Sequence, residues 1–226
     1  HSQFYLFIVD GEAIIGAKQN RIAERSVIIP PYSSNKIPVY CVEKNRWSYE
    51  EDINFCKSEF ILPPTAREEK AELLKKGEKG KVQNQIWEEV SMLSEKLQTY
   101  NSTDDLGDIL DKSFSGNKFD FYDKLMYVPF NSYIIEGAGR TFIEFFFKED
   151  ICKNHVKKSL KSWLADTNIE NILKPIDTKK IVKDFINSKW EAEEAISIEQ
   201  PYSSDAKNNG RSIFFAQKLI HAYYYI

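Results

Sequence analysis

Cysteine is scarce and scattered: Cys41, Cys56 and Cys152 form no C-x-x-C pair and no Cys/His array of the kind that makes a zinc site. That excludes a disulfide framework and suits a reducing, cytoplasmic setting. Charge of one sign is lacking as well. Lys plus Arg number 31 against 34 Asp plus Glu, a formal −3 with pI near 5.8, so no bulk field draws the chain to nucleic acid or anionic lipid. Nucleic acid is therefore not an expected partner. No apolar run approaches the roughly 20 residues a membrane-spanning helix needs, and mean hydropathy is −0.47, so a soluble protein without a membrane partner is expected. Walker and Rossmann glycine patterns are missing: Gly137-Ala138-Gly139 lies between two strand-like arms, not between a strand and a helix. No residue pattern names a cofactor. Asp10 and Glu12 alone do not reach a metal's ligand count, and no metal is expected. The opening His1-Ser2, with neither Met nor a signal-like segment, reads as a trimmed domain edge.

What is present is apolar and aromatic. At 42% hydrophobic and 14% aromatic over 226 residues, the chain has material for a substantial core. Phe4 to Val9 is a strand-like run that stops at Asp10-Gly11, a dipeptide that reverses a chain and predicts a hairpin. Ser26 to Ile29 is a second strand, ended by Pro30-Pro31. Ile37 to Glu43 is a third, whose period of two sets Cys41 and Glu43 on one face and Tyr40 and Val42 on the other. Val82, Ile86, Val90, Leu93 and Leu97 step by three or four, the stripe of a helix. The charged stretch Glu68 to Lys81, with Gly77 and Gly80, reads as a short helix running into a surface linker. Leu106 to Phe114 and Phe119 to Tyr127 suggest further short helices.

After these the period returns to two. Tyr133 to Glu136 and Thr141 to Phe147 flank Gly137-Ala138-Gly139-Arg140 as a hairpin, and Arg211 to Gln217 with Leu219 to Ile226 form another. Ile151, Val156, Leu160, Trp163 and Leu164 mark a helix between them. Its Lys153, Lys157, Lys158 and Lys161 read as a solvated face, with a partner's acidic surface or nucleic acid as the weaker alternative. Thr178 is a fair N-cap for a last helix carrying Ile181, Val182, Phe185, Ile186, Trp190 and Ile196. Strands and helices do not alternate regularly, so the expected class is α+β, a mainly antiparallel sheet with hairpins and packed helices. The division expected is one domain, 1–226, with sub-lobes 1–49 and 50–226 as the alternative.

Three polar turns carry the functional expectation. They hold Asp10 and Glu12; then Lys18, Gln19, Asn20 and Arg21; then Glu43, Arg46 and Trp47. Each falls at or beyond a strand end, where a shared rim brings carboxylates, amides and guanidiniums around one cavity. A guanidinium suits phosphate, an amide suits ribose hydroxyls and an indole stacks on a base. The bland alternative has Asp10, Glu12 and Glu43 pairing with Lys18, Arg21 and Arg46 simply to tie the turns together.

The same residues carry a resemblance. VDGEAIIGAKQNR from Val9, with RSVIIPPYSSNKIPVYCVEKNRW ending at Trp47, resembles the signature of the domain family named for its association with ADP-ribosylglycohydrolase and rhodanese/phosphatase superfamily proteins. Gln83 to Val90, Glu136 to Arg140 and Trp163 to Asp166 fit its pattern in the same order. Relatives usually carry further strands ahead of the Asp10-Gly11-Glu12 turn. The resemblance implies a setting in nicotinamide dinucleotide and ADP-ribose metabolism, hence a nucleotide-derived small molecule as partner, and assigns no reaction and no residue roles. Two other readings stay open: an interaction or self-association module using hairpin edges and the aromatics of Phe142 to Phe147 and Tyr223 to Tyr225, and a hydrolase using Asp10, Glu12 and Glu43.

Overall fold

The computed structural model describes residues 2–16, 18–45, 56–113, 127–137, 140–166, 178–204 and 210–225. Among them are twelve strands and five helices, and every strand pairing is antiparallel, the α+β class that the pattern order predicts. A four-stranded sheet runs in the order β5 (Val39–Cys41), β3 (Arg21–Ala23), β2 (Glu12–Ile15), β6 (Cys56–Ile61). Beside it, β1 (Leu6–Ile8) pairs with β4 (Val27–Ile29) as a ribbon. A six-stranded sheet runs β7 (Ser132–Gly137), β8 (Arg140–Phe146), β12 (Lys218–Tyr225), β11 (Gly210–Phe215), β10 (Gln200–Ser204), β9 (Trp190–Ala192).

Asp10-Gly11 does turn the chain, since Glu12 N donates to Val9 O at 3.0 Å and Gly11 takes a φ of 74°. The predicted hairpin around it does not form. β1 pairs with β4, whose Val27-Ile28-Ile29 offers Leu6-Phe7-Ile8 an apolar partner, while β2 goes to β3 and β6, so the turn is a corner between two sheets. The hairpin of β7 and β8 forms as predicted, with Gly137 opposite Arg140. So does that of β11 and β12, closed by Ala216 and Gln217 at φ 49° and 62°, the doubly positive backbone of a tight two-residue loop. Because β12 has a neighbour on each side, Tyr223, Tyr224 and Tyr225 are all buried, as are Phe142 and Phe146. Those aromatics are core, not an open face.

Helix α1 (Pro64–Lys75) starts on a proline, whose missing N–H is one the first turn does not use. It ends at Gly77, where Glu78 N donates to Leu73 O and Gly77 N to Leu74 O. α2 (Lys79–Leu97) buries the predicted Val82, Ile86, Val90 and Leu93, and with α3 (Leu106–Ser113) packs on the four-stranded sheet through Ile22, Val42 and Phe60. Phe114 and residues 119–126 lie outside the described residues. α4 (Glu149–Asp166) lies against α1, β6 and both arms of the β7–β8 hairpin. α5 (Thr178–Asn187) is shorter than predicted: Trp190 opens β9 and packs on Phe185 and Tyr224, and Ile196 joins Ile8, Ala23 and Val27 under the ribbon.

Two further expectations are corrected. The stretch Glu68 to Lys81 does supply the second half of α1 and an exposed turn at Gly77, but Lys70 within it is fully buried. Lys158, predicted on a solvated face of α4, is buried too, because the inner face of that helix carries His155, Lys158, Ser159 and Ser162 beside Val156 and Trp163. In each case a charged side chain points inward to a buried carboxylate, Lys70 to Asp10 and Lys158 to Glu12.

Candidate functional site

The two larger sheets, α1 and α4 meet at a joint made of charge. Asp10, from the β1–β2 corner, accepts Arg67 Nε at 3.2 Å, Lys70 Nζ at 2.9 Å and the Tyr223 hydroxyl at 3.1 Å. Arg67 reaches on to Glu144 of β8 with Nη2 at 2.8 Å, and its guanidinium lies 4.3 Å from the centre of the Tyr223 ring. Lys158 Nζ closes on Glu12 Oε1 at 2.9 Å, and Lys70 also donates to the Glu24 carbonyl. Arg67, Lys70, Lys158 and Arg211 thus stand against Asp10, Glu12 and Glu144, all buried, while the Glu24 carboxylate pairs with Arg25 and the exposed Lys79 at 3.0 Å each. Pairing of that kind is what makes burying so much charge tolerable.

The environment sets the protonation states. Burial works against the Glu144 charge, but Arg67 and the neighbouring histidines hold its carboxyl well below the ordinary range. Asp10 is likewise opposed by burial and held low by Lys70, Arg67 and Arg211, and Glu12 by Lys158. Both are ionised acceptors at neutral pH and have no proton to give. Burial pulls Lys70 down to about 8 despite Asp10, and lowers His221 below the usual imidazole value despite Glu144.

At one side of this joint lies a small cavity to which the corner after β3 contributes Arg25 and Ser26. Ser26, Arg211, Ile213 and His221 line its inner end, and Arg25 and Glu193 its outer end, around a cavity of about 10 Å³. Glu193 bridges two guanidiniums there, accepting Arg25 Nη1 at 3.1 Å and Arg211 Nη2 at 3.4 Å. Arg25 Nε and Arg211 Nη1 are buried and make no hydrogen bond among the described residues. Ser26 Oγ lies 3.0 Å from His221 Nδ1, and His221 Nε2 lies 2.9 Å from Glu144 Oε1. An anion between paired guanidiniums, beside a serine and a histidine, is the chemistry this wall offers.

Residues 1–225 match the ARG and Rhodanese-Phosphatase-superfamily-associated Protein domain, ARPP-1. The chain belongs to that family. Neither a curated protein nor a solved structure matches it.

Within this ARPP-1 domain the predicted polar turns divide between the two ends of the β2–β3 hairpin. Asp10 and Glu12 lie at the end where Gly11 N donates to Ala23 O, in the charged joint. Gln19, Asn20 and Glu43 lie at the other end, where Gln19 Nε2 donates to Glu43 O at 2.8 Å and Asn20 N to Glu43 Oε2 at 3.1 Å. Asn20 Nδ2 adds Asp105 at 3.2 Å, and an isolated bridge joins Glu43 to Asp105. Burial raises the Asp105 carboxyl, with Glu43 adding to the rise. Arg21 Nη1 donates to the Gln19 carbonyl at 3.2 Å, Lys18 is exposed, and Arg46 and Trp47 lie outside the described residues. The second and third turns therefore meet each other, and the first does not join them.

Sequence reasoning passed over Arg25, Ser26, Arg67, Lys70 and Arg211. A usable signal was there in two strands. Glu144 shares a strand face with Phe142 and Phe146, and His221 with Tyr223 and Tyr225. An ionisable residue on an otherwise aromatic inward face demands buried partners.

Proposed function

We propose that this ARPP-1 domain binds a phosphate-bearing nucleotide sugar of the ADP-ribose type, with an anionic oxygen seated between Arg25 and Arg211. The observation that carries the reading is Glu193, a carboxylate of the chain's own, held between those two guanidiniums at the mouth of the cavity. It occupies the place a ligand phosphate takes by displacement, and phosphate offers more oxygens than the carboxylate, to Arg25 Nε and to Arg211 Nη1, which otherwise faces Asp10 Oδ2 at 3.7 Å. The family's association with ADP-ribosylglycohydrolase proteins supports the choice of ligand. Gln19, Asn20, Arg21 and Glu43 act in this reading as fasteners of the β2–β3 loop, their hydrogen bonds being spent on one another, with exposed Lys18 as an outer contact. Asp10 and Glu12 anchor cations; they are ionised and enclosed, which suits neither acid catalysis nor ligand exchange.

Calorimetric titration with ADP-ribose, ADP and pyrophosphate tests it. Glu193→Gln removes the resident negative charge and is expected to tighten binding, while Arg25→Met is expected to weaken it about tenfold, the worth of one charge-assisted contact. No heat and no thermal shift from any of the three, in the parent and in Glu193→Gln alike, overturns the reading.

A further inference from the structure

Ser26, His221 and Glu144 form a hydrogen-bonded line from the cavity wall into the core. Glu144 is ionised and accepts only, so the His221 nitrogen facing it, Nε2, is the one that carries the proton. His221 is held in its neutral form, which leaves Nδ1 with a bare lone pair directed at Ser26 Oγ, 3.0 Å away. The Ser26 hydroxyl must then donate to His221. Its oxygen accepts the Asp10 backbone N–H at 2.9 Å, and one lone pair is left. Rings of Phe146 and Phe7, with centroids 4.8 Å and 5.9 Å from that of His221, fix the imidazole plane. This is the polarity of a serine nucleophile relay, with the imidazole used through the opposite nitrogen from the familiar arrangement.

A serine, a histidine and an acid also occur in purely structural networks. The cavity separates the two cases here. Ser26, His221 and Arg211 line the same small space, and Arg211 brings to it a buried Nη1 whose partner is Asp10 Oδ2, beyond hydrogen-bond distance at 3.7 Å. Nucleophile, base and a cationic donor for a developing oxyanion therefore share one wall. The opposite wall is the Arg25–Glu193 pair, the partly exposed side of the cavity at 19% and 18%. Those two side chains are the barrier that a substrate must displace, and displacement of Glu193 is what anion binding at Arg25 and Arg211 brings about.

We propose that Ser26 is a catalytic nucleophile acting on carboxylic esters of phosphate-bearing alcohols, with His221 as its base and Glu144 as the residue that positions His221. Ser26 Oγ attacks the ester carbonyl carbon as its proton passes to His221 Nδ1. The carbonyl π pair moves to oxygen, beside Arg211. When it returns, the carbon–oxygen bond to the alcohol breaks, and the departing oxygen takes the proton from His221. Water then adds to the acyl-serine, giving a proton to His221, and the acid leaves as Ser26 recovers that proton. The sum is ester plus water to acid plus alcohol. The choice of a phosphate-bearing alcohol rests on the anion-binding reading above; the reactivity of Ser26 does not.

The test uses two probes on the whole protein. Phenylmethylsulfonyl fluoride, followed by peptide mass spectrometry, is expected to place one adduct on Ser26, faster in Glu193→Gln and absent in Ser26→Ala. Hydrolysis of 4-nitrophenyl acetate and of 4-acetoxyphenyl phosphate is expected to fall at least a hundredfold in Ser26→Ala, with the phosphate-bearing ester favoured and that preference lost in Arg25→Met. Glu144→Gln is expected to lower kcat, with a shifted pH profile. Where that variant fails to fold, the Ser26 adduct and the Ser26→Ala rates decide. An adduct and turnover without any phosphate preference keep the nucleophile and sink the anion reading. ADP-ribose binding with no adduct on Ser26 in Glu193→Gln, and ester hydrolysis unchanged in Ser26→Ala, overturns the nucleophile.

Discussion

Arg67 is the residue on which most of the joint depends. One guanidinium satisfies Asp10 through Nε and Glu144 through Nη2 while lying against the Tyr223 ring. Its planar fork does what an ammonium cannot, so Arg67→Lys should recover little of what Arg67→Met loses. Removing one partner from a buried pair costs about 3–5 kcal/mol, since the other charge is left in a dry site, and urea denaturation of Arg67→Met should show a loss of that size. Lys76→Ala, by contrast, breaks only an exposed pair with Glu72 and should leave the urea midpoint where it was. None of this can be read from α1 alone: Arg67 finds its acceptors 57 and 77 residues away in sequence. Within the helix, Arg67, Lys70 and their acidic neighbours look like any solvated stripe.

At the scale of elements, the sequence is explicit where periodicity and turn chemistry agree and silent where pairing is a choice among partners. The α2 stripe and the two late hairpins follow from local spacing. The β1–β4 ribbon does not, because Leu6-Phe7-Ile8 is an equally good neighbour for any apolar strand, and the corner at Gly11 serves a hairpin or a crossing alike. The polar turns were legible as polar, but which of them meet depends on the direction the β2–β3 hairpin runs. One local feature remains open to improvement. α2 ends with Gln98 at φ 53°, a left-handed position, while Thr99 N reaches back to Ser94 O. Glycine adopts that backbone without a Cβ penalty, so Gln98→Gly should raise stability by about 1 kcal/mol, read from the denaturant midpoint at unchanged slope.

For the molecule as a whole, the joint dictates how stability follows pH. Asp10, Glu12, Glu24 and Glu144 all have folded values below their ordinary 3.8 or 4.5. Their contribution is therefore complete above that range and lost as pH falls below it. On the alkaline side two effects oppose each other. Lys70 titrates at about 8 when folded against 10.5 when unfolded, so between those values the unfolded chain holds more protons and stability rises, by about 3 kcal/mol at most. Burial lifts Tyr133, Tyr223 and Tyr225 well above 10, so the stability they hold is intact below that pH and drains above it. Urea midpoints measured from pH 7 to 11 should pass through a maximum near 9 to 10, and Lys70→Met should lack the rise. The central place of β12 ties the ends of the chain together. Asp10 and Tyr223 are 213 residues apart, so their contact closes a very long loop. The same strand brings His221 to Glu144, so whatever pries it from between β8 and β11 should let water reach Asp10 and Glu144 together.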